Sequence, residues 1–184
     1  MKHRAYRGKP AAAAGITGSV LILLLGLALG AASKRADGSS VLLGELTSHI
    51  ALWVLLASAV ALASRSPLKA GLNVLLLLGG MVAAYYAAAE LLGGVWSKDF
   101  LMGWGVAALL SPIPGFLVWY ARGKDWWAWL ISTGVVAVQV AATIWLYEKL
   151  GPVDLAVVVL TAVLLFGKKV KHMGITRRRR RRRR

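Results

Sequence analysis

Six long apolar runs in 184 residues, with little between them, set the class of fold open to this chain. They cover residues 11–32, 46–63, 68–92, 100–121, 126–147 and 152–167. A bilayer core about 30 Å thick takes about 20 helical residues. The first five runs match that length; the sixth, at about 15 residues, reaches only about 22 Å. It is expected to extend into "GKKVK", whose lysine stems can snorkel to a membrane surface. The runs are apolar on all sides, as helices among lipid and other helices are. One such run would fit the buried helix of a soluble protein, but six exceed what so small a core can hide. Composition agrees: 58% of residues are hydrophobic and 16% charged, against roughly 45–50% and about 25% in soluble domains. The expected fold is all-α: a polytopic membrane protein, one six-transmembrane-helix bundle with short loops over 11–167. A basic flank, 1–10, precedes it, and a basic tail, 168–184, expected to be disordered, follows.

Punctuation supports the runs. Ser66-Pro67 offers an N-cap and a proline at the first helical position. Asp125 stands before "WWAWL" as a second cap, Gly93-Gly94 closes the third run, and Gly151-Pro152 separates the last two. Short connections make consecutive helices antiparallel neighbours. In lipid, helices associate through close backbone approach at small residues. Gly26 and Gly30 form a GxxxG pair in the first run, and Gly80, Ala84 and Ala88 form a stripe in the third. The third run is expected at the centre of the bundle.

Charge gives an orientation. Alternate flanks, starting from the first, hold 19 of the 23 basic residues and one acid; the other three hold four basic residues and six acids. Lys and Arg collect on the cytoplasmic side, which predicts a plasma-membrane protein with both termini cytoplasmic. The closing arginines, among them Arg177, Arg178, Arg179 and Arg180, are then expected to lie against anionic lipid headgroups, at about 1 kcal/mol per basic residue. Contact with nucleic acid through such a tail would be sequence-independent, so no specific nucleic-acid partner is expected. The first run also fits a cleavable signal peptide, with Gly30 and Ala32 as small cleavage-site residues; cleavage would leave five spans.

Two places carry polar residues where lipid disfavours them. Glu90, near the carboxy-terminal end of the third run, opposes the helix dipole and has no local cation. His49 and Glu45, four residues apart, share a face of the second run. A Glu45–His49–Glu90 cluster is a candidate proton or cation site; three wet interfacial residues are the alternative. The second place is "LLSPIPGFL". Pro112 and Pro114 lack donors and clash with the preceding turn, and Ser111 and Gly115 flank them. The helix must kink or break there, either as a binding site or as an inert bend healed by its neighbours. Gln139, at similar depth in the fifth run, is a candidate partner for carbonyls freed at the break. Glu45, Asp99 and Asp154 open helices where the dipole favours acids, and this accounts for them without a function.

No catalytic pattern is present: "GITGS" lacks the lysine and spacing of a phosphate loop, and neither HExxH nor GxSxG occurs. The chain has no cysteine, which excludes thiolate chemistry. The sequence calls for no enzyme activity, cofactor or metal. "SRSPLKAGLNVLLLLGGMVAAYY" followed by "GWGVAALLSPIPGFLVWYARGK" resembles the pattern of small uncharacterised polytopic bacterial inner-membrane proteins over residues 64–124, a likeness that implies no activity. Size and span number also resemble the substrate-binding subunits of bacterial vitamin-uptake transporters, in architecture only. Two functions are left open: a small transporter or channel component, or a membrane scaffold whose basic tail binds lipid or a protein partner. A polar cavity reaching midplane would favour the first, a filled interior the second.

Overall fold

A computed structural model describes residues 10–37, 49–92, 94 and 96–181, and side chains over 16–37, 49–92, 94, 96–167 and 169. Among the described residues there are seven helices: α1 (Pro10–Asp37), α2 (Ile50–Ala63), α3 (Pro67–Leu91), α4 (Lys98–Leu110), α5 (Pro112–Tyr120), α6 (Trp126–Tyr147) and α7 (Pro152–Arg181). No strand occurs among the described residues. Among the described residues, four stretches are long and apolar enough to cross a membrane: Ile16–Asp37, Pro67–Leu91, Lys98–Tyr120 and Trp126–Tyr147. Ile50–Ala63 and Pro152–Gly167 are shorter apolar helices. The molecule is thus all-helical and built as an integral membrane protein is. The backbone of α7 stays helical to Arg181, through most of the segment for which the sequence predicts disorder.

Local chemistry sets the helix ends. Ser66 caps α3, its hydroxyl accepting from the Lys69 amide at 3.3 Å, with Pro67 in the first turn. Ser97 does the same for α4 through the Asp99 amide. Asp125 is the N-cap residue of α6, as expected, but its side chain makes no capping bond. The Gly94 amide closes α3 on the Ala89 carbonyl at 2.9 Å.

The centre is α3, which packs against α1, α2, α4 and α5. The α1–α3 pair runs parallel: Ser19 meets Asn73, Gly26 meets Leu77 and Gly30 meets Met81. A Cβ on Gly26 would lie 2.3 Å from the Leu77 carbonyl oxygen, and one on Gly30 would lie 2.1 Å from that of Met81. The two backbones therefore touch, as expected of a GxxxG seam. Gly80 faces back onto Leu23, and Ala84 and Ala88 are half-buried on the same helix. On another side of α3, Gly71 sits under the Pro112 carbonyl, and Gly115 sits over Val74 and Ala70. Large apolar side chains stand exposed on every helix except α2, for example Leu24, Leu72, Leu109, Ile113, Val138 and Leu160. Such an apolar exterior suits lipid.

Candidate functional site

A cavity of about 1110 Å³, open on one side, is lined by residues of α1 to α6. It exists because α4 leans on α3 and makes no substantial contact with α6, although both helices line the space. Its floor is apolar: Val74, Val118, Leu117, Val135 and Gly115, with Ser58 and Ser111 the nearby hydroxyls. Tyr85, Tyr86, Trp96, Ser97, Tyr147 and Asp37 gather at the other end, where α1, α3 and α6 finish.

The break in the fourth apolar run lies at the edge of this cavity. Ser111 separates α4 from α5 yet keeps right-handed helical angles, φ −60° and ψ −23°. The Ala108 carbonyl, which proline at 112 cannot serve, accepts the Ser111 hydroxyl at 2.6 Å and its amide at 3.2 Å. Ser111 thus heals the first defect that Pro112 creates, and the bend supplies no free carbonyl at Ala108. Gln139 does not reach this site. It is fully buried, and its Nε2 donates to the Ala51 carbonyl of α2 at 3.0 Å. Its Oε1 has no hydrogen-bond partner among the described residues. Thr143 and Thr161 bond carbonyls of their own helices.

The expected acid–histidine cluster takes a different form. Glu45 lies outside the described residues. Glu90 is exposed, and its Oε2 accepts from the Trp96 indole at 2.7 Å. His49 instead pairs with Asp154: Nδ1 stands 2.6 Å from Oδ1, and Asp154 is 1% exposed. Neither atom forms a well-aligned hydrogen bond; the contact is a close polar approach, ionic when the imidazole carries a proton. The Tyr147 ring packs on His49 at 5.0 Å, and its hydroxyl accepts the Ile50 amide at 3.3 Å. The other Asp154 oxygen accepts the Gly151 amide at 3.0 Å. Sequence placed Asp154 at a helix start for its dipole; the structure adds burial and an imidazole partner. Orphan amides at the starts of α2 and α7 are satisfied here, which makes the cluster a brace between helices. No group of three or more metal-ligating side chains occurs among the described residues.

The opposite end holds a second polar network. The Ser64 carbonyl accepts from the Trp119 indole at 3.0 Å and from Arg122 at 2.8 Å, with the guanidinium over the Trp119 ring. The Ser64 hydroxyl accepts from Asn73, whose Oδ1 accepts from Ser19. Four helices are thereby joined, with Asn73 buried among them. Lys169 is also buried. It donates to the Ala128 carbonyl at 2.7 Å and to Ser132 Oγ, against the rings of Trp129 and Phe166. The side chains of Arg177 to Arg180 lie outside the described residues.

Burial holds the Lys169 amine below its ordinary value of 10.5. The folded protein then binds fewer protons than the unfolded chain between the lowered value and 10.5, so stability rises with pH across that window. In detergent, the melting temperature of the wild type relative to Lys169→Met is expected to climb as pH approaches 10.5. At pH 7 the substitution should change stability by less than about 1 kcal/mol, because Ala128 O keeps the Ser132 hydroxyl.

No protein-family model, curated protein or solved structure matches this chain. The resemblance over residues 64–124 gains no support from these comparisons.

Proposed function

We propose that this chain is a six-span plasma-membrane protein, both termini cytoplasmic, that takes the apolar chain of an amphiphile from the bilayer into its cleft. The function is binding or transfer of a lipid-like molecule, with no chemical step. One observation carries this reading. The cavity is lined mainly by apolar side chains, with the Ser58 and Ser111 hydroxyls near its floor and its aromatic hydroxyls, indole and carboxylate gathered at one end. Lateral entry between α4 and α6 follows from the lack of substantial contact between those helices. A conduit for ions or small polar solutes needs a wet path to midplane. Gln139 is turned away into α2, Ser111 satisfies the carbonyl at the bend, and Glu90 sits exposed on Trp96. The separation of basic and acidic flanks supports the orientation. It leaves the arginine tail to anionic headgroups.

Gly134 offers a direct test. It lines the cavity, and a Cβ placed there meets nothing within 4 Å. Gly134→Phe should fill the space without displacing backbone. Protein purified gently from membranes should retain roughly one tightly held amphiphile, measured by native mass spectrometry. The variant should retain at least fivefold less while staying monodisperse. Equal retention by both proteins would overturn the reading.

A further inference from the structure

We infer that the mouth of the cleft is a binding site for a quaternary ammonium head, so the amphiphile it takes is cationic. The inference rests on the cleft reading and specifies its ligand class. Among the described residues that line the cavity, Asp37 is the one charged side chain, and no lysine, arginine or histidine contributes. An anionic head would face that carboxylate with no cation lining the space to receive it.

Beside Asp37 stands a corner of aromatic rings. Tyr85 and Tyr86 meet edge-to-face at 5.2 Å and 74°; Tyr86 and Trp96 meet at 5.9 Å and 78°. Successive near-perpendicular rings present faces in different directions, the arrangement that surrounds a bulky, poorly hydrated cation. Two of the three rings donate to carboxylates: the Tyr85 hydroxyl to Asp37 at 2.6 Å, and the Trp96 indole to Glu90 at 2.7 Å. Donation to an anion pushes electron density into the ring and strengthens its hold on a cation. The protein already uses this property. The Lys34 ammonium lies 5.2 Å from the centre of the Tyr85 ring, although Lys34 is not among the residues lining the cavity. No cation stands over Tyr86 or Trp96 among the described residues.

A quaternary ammonium matches these features better than a primary amine. It has no N–H to donate, so it loses little on leaving water for an aromatic corner with few free acceptors. Its charge is balanced at a distance by Asp37 and Glu90. The attached chain then runs between α4 and α6 toward Val135 and Val118, where the cavity is apolar.

Two probes with the same chain and opposite heads test this. Radiolabelled dodecyltrimethylammonium and dodecyl sulfate are each added, at one low mole fraction, to protein in dodecyl maltoside micelles. Binding to protein-free micelles is subtracted. The ammonium probe should bind at least about tenfold more tightly than the sulfate. Asp37→Asn, which leaves Tyr85 an acceptor, should reduce that preference severalfold, and so should Trp96→Leu. Gly134→Phe should abolish binding of the ammonium probe. Equal binding of both probes, lowered for both by Gly134→Phe, would overturn the cationic head and leave the cleft standing. Binding of either probe that Gly134→Phe does not change would overturn both.

Discussion

Gly30→Leu is expected to destabilise the protein by about 3 kcal/mol, measured by unfolding in mixed micelles. A Cβ at this position would stand 2.1 Å from the Met81 carbonyl oxygen and 2.8 Å from its carbon. These are backbone atoms of α3, so no rotamer change relieves the clash and the helices must separate. Separation is costly because burial of apolar surface gains little in lipid. Close van der Waals contact and interhelical hydrogen bonds then carry the association. It would also pull Ser19 from Asn73 and so unpick the network around Ser64. Gly18→Leu is the control on the same helix. Nothing lies within 4 Å of a Cβ there, and the change should stay within about 0.5 kcal/mol. Equal effects at the two glycines would mean that the α1–α3 contact is not the seam described.

The glycines also show what kind of information the sequence carried. Spacing placed Gly26 and Gly30 on one face of one helix, because a helix repeats locally. It did not say which helix they would meet. The same division runs through the molecule. The Ser66-Pro67 start of α3 and the Trp126–Tyr147 extent of α6 were legible from capping chemistry and apolar length. The partner of His49 was not. Glu45 and Glu90 looked suitable by depth, but α2 packs against α7, and that neighbour brings Asp154 to His49. Glu90 found Trp96 only six residues along the chain. Gln139 follows the same pattern: its depth matched Ser111, yet its hydrogen bond goes to Ala51 of α2. The cleft was the least legible feature. It arises where α4 and α6 make no substantial contact, and such a gap leaves no local pattern. Its aromatic residues read equally well as interfacial anchors, so only their convergence with Asp37 sets them apart.

The pair that sequence missed should carry the other large effect. His49→Ala is expected to cost about 3 kcal/mol. Asp154 is 1% exposed, and removing the imidazole leaves its Oδ1 buried without a partner. Packing of the Tyr147 ring goes with it, and that ring's hydroxyl holds the first amide of α2. If the loss comes from the stranded carboxylate, changing that residue as well should recover part of it. His49→Ala with Asp154→Asn is the informative double variant, because asparagine can still accept the Gly151 amide while carrying no charge. It should be more stable than His49→Ala alone by at least about 1 kcal/mol, a coupling that a double-mutant cycle in micelles resolves. Glu90→Gln supplies the contrast. Glu90 is exposed and keeps an acceptor for Trp96 after the change, so stability should move by less than about 0.5 kcal/mol. Strict additivity of the His49 and Asp154 substitutions would reduce their 2.6 Å approach to proximity without energetic consequence. The bracing of α2 against α7 would then rest on apolar packing alone, with Tyr147 tying α2 to α6.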